Sequence, residues 1–238
     1  MEALGIASER LSVGRQGIRW SSRPFGSVGD FVGGSVSAHL VEFWFEFAST
    51  YSYPAAMRVE SVANQGGCHV AWKPFLLGPV FRTQGWNDSP FNIYPVKGRY
   101  MWRDLERVCG ELAIPLVRPS VFPRNGLLAA RVACAAADAA WLPSFVRNVY
   151  SANFARDLDI SRPDVVLGCL ESLVPDPADV LASADLEETK ARLRSNTERA
   201  VDLGIFGAPS FVVGQELFWG NDRLETALRW CTRSAGAG

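Results

Sequence analysis

The sequence is poor in the residues that most catalytic classes need. Its 238 residues include two histidines, His39 and His69, neither with a nucleophile and an acid arranged around it. A Ser–His–Asp triad therefore has no support. His-Glu-x-x-His, P-loop and nucleophile-elbow patterns are missing as well. Five cysteines (Cys68, Cys109, Cys134, Cys169 and Cys231) are scattered without a Cys-x-x-Cys pair. An odd, unpaired set argues against a disulfide framework, so five reduced thiols in a cytoplasmic protein are expected, each buried as a small hydrophobe. Charge of one sign is lacking too: 24 basic and 25 acidic residues leave a formal net charge of −1. That excludes a nucleic-acid footprint or a polybasic membrane surface. The hydrophobic runs are all too short to cross a bilayer.

What remains is ordinary globular composition, 48% hydrophobic and 21% charged, with length for one large domain or two small ones. Residues 1–38 stand apart. They are rich in Ser and Gly, with Arg10, Arg15, Arg19 and Arg23 interspersed. No apolar segment follows those arginines, as a secretory signal would require, and Glu2, Glu9 and Asp30 count against a transit peptide. A flexible extension, or a start codon assigned too far upstream, is expected.

Val41, Phe43, Phe45 and Phe47 alternate with Glu42, Trp44 and Glu46, which predicts a strand. Ala55, Ala56, Val59, Val62 and Ala63 follow at helical spacing, with Pro54 in the first turn, where proline is tolerated. Cys68 to Trp72 predict a second strand, stopped by Pro74. Residues 74–94 are rich in proline, glycine and aromatics without a clean period, and are expected to be an ordered loop or lid. Residues 100–203 read as almost wholly helical. Leu127 to Trp141 is predicted as a buried, alanine-rich helix, and 185–202 as an amphipathic one with Leu186, Leu193 and Val201 on its apolar side. Ser210 to Val213 and Leu217 to Trp219 flank Gly214-Gln215, a hairpin signal. Asn221 or Asp222 then caps a last helix. The order is βαβ, a helical block, then ββα.

Three places carry candidate chemistry. Ser49-Thr50-Tyr51-Ser52 lies between a strand end and a helix N-terminus, where backbone N–H groups favour an anion or thiolate. A capping role for Ser49 or Ser52 fits equally at this point. Gly207-Ala208-Pro209-Ser210 enters a strand and could hold a cis peptide or an ordinary trans turn. Asn221-Asp222 could bind an α-amino-acid head, N–H groups taking its carboxylate and Asp222 its ammonium, or could merely cap.

Taken together, these stretches resemble the DsbA-like thioredoxin superfamily, and within it the 2-hydroxychromene-2-carboxylate isomerases and kappa-class glutathione transferases. The resemblance spans about Val41 to Arg229. It rests on Phe43 to Ser52, Trp72-Lys73-Pro74-Phe75-Leu76-Leu77-Gly78, Lys97 with Tyr100, Asp104-Leu105-Glu106-Arg107, Phe206 to Pro209, and Leu217 to Arg223. It implies an α/β chain with a thioredoxin-like fold (residues 39–99 and 204–238), a large all-helical insertion (100–203) and a cis Pro209. DsbA has Cys-Pro-His-Cys where this chain has Ser49 to Ser52, so dithiol exchange lacks both sulfurs.

Carried over position by position, Ser49 faces the sulfur of bound glutathione and Lys97 pairs with a glutathione carboxylate. Backbone groups of Ala208, before Pro209, bond the cysteinyl part, and Asn221 and Asp222 hold the γ-glutamyl head. Trp86 stands where kappa enzymes have an asparagine, and Thr50 where a proline usually follows the serine. The implied activity is glutathione-dependent interconversion of 2-hydroxychromene-2-carboxylate and trans-o-hydroxybenzylidenepyruvate-type aromatic compounds, by a homodimer. A kappa-type transferase, and a non-catalytic glutathione-binding or chaperone-like module, are the alternatives.

Overall fold

The computed structural model describes residues 39–235; the expected extension at 1–38 lies outside the described residues. Strand β1 (Leu40–Phe45) is followed by helix α1 (Ser52–Gln65) and strand β2 (His69–Pro74). The hairpin strands β3 (Ser210–Val213) and β4 (Glu216–Trp219) come late in the chain. They assemble into one sheet of order β2-β1-β3-β4, with β1 and β2 parallel and the other pairs antiparallel. The hairpin turn needs Gly214, whose φ is +60°, a region that other residues rarely adopt.

Because β1 is central, both of its faces are covered. Phe43 and Phe45 point to one core, where Phe43 stacks on Phe211 at 5.3 Å and meets Trp72 edge-on at 5.1 Å. Trp44 points the other way and is equally buried, packed with Phe75, Val80 and Val212. The period-two pattern is real, but its alternate face is a second core rather than solvent. Each aromatic pair adds about 0.5–1.5 kcal/mol beyond area burial.

Between β2 and β3 run helices α2 (Leu77–Thr83), α3 (Pro90–Ile93), α4 (Pro95–Glu111), α5 (Leu127–Ala135), α6 (Leu142–Phe154), α7 (Pro163–Gly168), α8 (Pro177–Ser183) and α9 (Glu187–Asp202). A 3₁₀ turn (Asn221–Arg223) and α10 (Leu224–Ala235) close the described chain. Helix α6 links block and sheet: Tyr53 of α1 stacks on Phe154 at 5.5 Å, and Tyr150 lies 6.5 Å from Phe45.

Four expectations are corrected. Residues 74–94 are not a loop, since α2 and α3 occupy much of them; Pro90 starts α3, and two helices as short as these show no period. Residues 112–126, placed in the helical block, are irregular, because Pro115, Pro119 and Pro123 deny the backbone its N–H donors. The alanine-rich helix is buried as expected but stops at Ala135. Helix α9 buries Thr189, Leu193, Thr197 and Ala200, whereas Leu186 is 50% and Val201 38% exposed. Its inner face is fixed by hydrogen bonds to β1 and β2: Asn196 Nδ2 donates to the Pro74 carbonyl and Arg199 reaches Glu42 at 2.8 Å.

Candidate active site

The turn after β1 is built by its own side chains. Ser49 N–H donates to the Glu46 carbonyl at 3.0 Å, and Ala48 N–H to Glu46 Oε2 at 2.9 Å. This turns the chain back and presents Ser49 at the start of α1. Ser49 Oγ accepts the Ser52 N–H at 3.3 Å and donates to the Ala208 carbonyl at 2.9 Å. The capping reading and the site reading therefore meet in one residue. Thr50, in the place of the expected proline, is buried and donates to Met101 Sδ. Ser52 is also buried, away from the cavity wall.

Ser49 and Ala208 line a cavity of about 1170 Å³. Phe81, Trp86, Phe91, Tyr100, Phe206 and Trp219 give it an aromatic wall. Lys97 also lines it, with Nζ 5.3 Å from the centre of the Tyr94 ring and, among the described residues, no carboxylate partner. Tyr51 donates to Asp104 Oδ2 at 2.9 Å; burial first, then that bond, hold its phenol well above the ordinary value.

The Ala208–Pro209 peptide is cis, as the resemblance implied; Phe122–Pro123 is also cis, without a sequence signal. Ala208 lines the cavity, and its N–H makes no hydrogen bond among the described residues.

Pro209, Asn221 and Asp222 do not line the cavity. Asn221 is buried, and Arg58 of α1 donates to its Oδ1 and its carbonyl; Arg58 also pairs with Glu225. Neither Asn221 nor Asp222 makes the side-chain cap expected of it. Asp222 is 71% exposed, lies 3.2 Å from Arg223, and is near enough to Tyr51 to raise that phenol further. It is linked to the cavity only through Tyr51, which lines it.

Sequence reasoning missed Glu46 and Arg124, which also line the cavity. The signal for Glu46 was available: a carboxylate inside Phe45-Glu46-Phe47-Ala48. Arg124, in an irregular loop, offered none.

All five cysteines are buried, and none lines the cavity. Burial pushes the Cys109 and Cys169 thiols up to about 11, and Cys134 and Cys231 to about 12. Such thiols are inert nucleophiles at neutral pH. In an insulin-reduction assay the protein should run at the background rate. A rate above background that thiol alkylation abolishes would reveal a working sulfur.

The model of the DSBA-like thioredoxin domain matches residues 40–229. The chain belongs to this DsbA-like thioredoxin family. Within it, the chain falls with the isomerases and kappa-class transferases that its motifs resembled. It is 32% identical over 203 residues to a 2-hydroxychromene-2-carboxylate isomerase of Pseudomonas putida, covering 82% of this chain and 98% of the relative. A glutathione S-transferase kappa 1 of Caenorhabditis elegans is 25% identical over 198 residues, with 77% of this chain and 87% of the relative covered. A solved 2-hydroxychromene-2-carboxylate isomerase superposes with a TM-score of 0.72 at 26% identity, covering 84% of this chain and 99% of that one. Among the described residues no helix is long and apolar enough to cross a membrane.

Proposed function

We propose that the protein is a glutathione-dependent isomerase that interconverts 2-hydroxychromene-2-carboxylate and trans-o-hydroxybenzylidenepyruvate-type aromatic compounds. The observation that carries this reading is Ser49. It stands where the redox branch has its first cysteine, and its hydroxyl bridges α1 and Ala208 at the wall of a large aromatic cavity. A site of this kind needs its thiol from outside. Its residues fit glutathione: the Ala208 N–H is open to a peptide main chain, and Lys97 is free for a carboxylate. Asp222 takes the γ-glutamyl ammonium, exchanging its neighbour Arg223, while Asn221, held by Arg58, positions that turn. In this reading residues 39–99 and 204–238 hold glutathione, and the insertion at 100–203 closes over the substrate. The buried, reduced thiols suit the cytoplasm.

Glutathione would supply a thiol that adds reversibly to the conjugated carbon, so that a double bond becomes single, turns, and re-forms when the sulfur leaves. Ser49 Oγ is anchored by the Ser52 N–H. Only its hydrogen has to swing from the Ala208 carbonyl into the cavity to donate to sulfur. Thiol ionisation is a small part of the rate. Lowering a thiol from ~8.5 to ~6.5 raises the ionised fraction at pH 7 from about 3% to about 75%, but costs about eightfold in nucleophilicity, a net gain of about threefold. Most of the acceleration comes from holding two reactants together between aromatic walls.

Turnover of hydroxychromene carboxylate should require glutathione and leave its concentration unchanged. Consumption of glutathione would point to a transferase, and calorimetric binding without turnover of any chromene or aryl halide to a non-catalytic module. Lys97→Ala and Asp222→Ala should each weaken glutathione binding about tenfold or more, the worth of a charge-assisted hydrogen bond. Ser49→Ala should leave affinity within a few-fold and slow turnover about tenfold or more. Parental turnover in Ser49→Ala would mean that the hydroxyl is not catalytic.

A further inference from the structure

The turn that carries Ser49 also carries a carboxylate which the chemistry above leaves unused. Glu46 has its main chain fixed, its carbonyl accepting both the Ser49 N–H at 3.0 Å and the Tyr150 hydroxyl at 2.8 Å. Its Oε2 accepts the Ala48 N–H. Its Oε1 is not the oxygen that the Ala48 N–H occupies, and it faces Gly126: a Cβ there would lie 3.5 Å from Oε1 and 2.8 Å from Phe47 Cβ. A side chain at 126 would thus crowd the turn; glycine leaves it room. No lysine or arginine among the described residues stands within ion-pair distance of Glu46. Tyr150 faces it from α6. Arg124, in the loop before α5, is occupied by Ser120, Asn153, Asp157 and Leu158. Lys97 and Tyr100 of α4, Arg82 of α2 and Asp88 share the cavity but form no bond with it. A half-buried carboxylate three residues from the serine thus has main-chain amides but no counter-charge to support its ionised form.

We propose that Glu46 is the proton carrier of this cavity, its Oε1 taking the proton of the incoming thiol and returning it when the sulfur leaves. The proposal rests on the reading that a thiol cofactor binds beside Ser49. The proton passes to Glu46 as the S–C bond forms, making a neutral carboxyl, and passes back as that bond breaks. The electron pair displaced from the substrate's double bond resides meanwhile on its carbonyl oxygen. No net atom, electron or proton is gained. Burial pushes the Glu46 carboxyl up to about 7, partly offset by the Ala48 and Ser49 amides. A group poised near the working pH both accepts and donates.

The first test uses the unmodified protein. With ¹³C-carboxyl-labelled glutamate, one NMR resonance should titrate near pH 7, be missing in Glu46→Gln, and move when glutathione is added. S-methylglutathione, which has no thiol proton, should move it differently. The second test is kinetic. Glu46→Gln should bind glutathione within a few-fold of the parent yet turn over about a hundredfold more slowly, the usual worth of a positioned acid–base. Its pH profile should lose the limb set by the Glu46 carboxyl and keep only the rise that follows ionisation of the bound thiol; Glu46→Asp should recover part of the rate. Titration of all carboxyls at ordinary values, or a Gln variant with the parental rate and profile, would overturn the proposal. If Glu46→Gln does not fold, the labelled parent and Glu46→Asp decide. If the parent turns over no substrate, the isomerase reading fails, while the response of the Glu46 resonance to glutathione still judges this proposal.

Discussion

Replacing Arg124 with methionine is expected to remove about 1–3 kcal/mol of stability, the usual penalty for stripping a buried donor from the acceptors it serves. Arg124 is only 6% exposed. Nη1 donates to the Leu158 carbonyl at 3.0 Å and to the carbonyl and side chain of Asn153; Nη2 donates to Ser120 Oγ, the Asp157 carbonyl and the Asp157 carboxylate. One guanidinium thus fastens the irregular 112–126 segment to the end of α6. The chain just beyond α6 bends sharply, with Asp157 at φ +52°. Methionine fills similar space but leaves the acceptors of Asn153, Asp157 and Leu158, Asn153 being buried, without their donor. Lysine should not rescue the loss, because a single ammonium does not reproduce the planar fork. Asn153 also donates to the Phe47 carbonyl, so loosening should reach the Ser49 turn and weaken glutathione binding. Urea unfolding at pH 7 measures the effect; a loss under about 1 kcal/mol would show that the network is dispensable. The Ser120 amide first, and then Arg124, hold the Asp157 carboxyl below its ordinary value. The folded state therefore binds fewer protons than the unfolded one in acid. This contribution is present above the unfolded value and fades as pH falls through the folded one. The penalty of the substitution should shrink accordingly in acid.

Glu46→Gln should make the protein more stable at pH 8 by about 2–3 kcal/mol while changing little at pH 5. The folded carboxyl titrates at about 7 against 4.5 when unperturbed. Between those values the native state holds more protons than the unfolded state, so stability falls as pH rises through that window. The full shift corresponds to about 3 kcal/mol at 1.36 kcal/mol per unit, and solvent in the cavity reduces it somewhat. Glutamine keeps the shape and carries no charge to desolvate. Chemical denaturation of parent and variant at both pH values checks this. A difference that does not vary with pH would mean that the carboxyl is as well solvated in the fold as outside it.

The features legible in the chain are those encoded over a few residues. The alternation of Val41, Phe43 and Phe45 set β1, and Gly214-Gln215 set the hairpin, because strand period and turn conformation are local properties. Family motifs carried the cis Ala208–Pro209 bond and the serine at the head of α1. The reading stopped where distant segments decide. Whether 74–94 was lid or helix depended on two short helices, α2 packing beside α9 and the proline-started α3 beside α4. Which face of α9 is buried depended on the bonds it makes to Pro74 and Glu42, and its polar Thr189 and Thr197 went inward with it.

Above all, the sequence by itself placed a serine, not a sulfur, at the end of β1, so that this turn brings no thiol of its own; that none of the five cysteines reaches the cavity was settled by the fold. Only the tertiary structure decided what surrounds that serine. Tyr150, about a hundred positions away, takes the Glu46 carbonyl, and Gly126 leaves room beside the Glu46 carboxylate. The charge on a side chain is written in its own residue; its desolvation is set by groups that sequence does not place beside it.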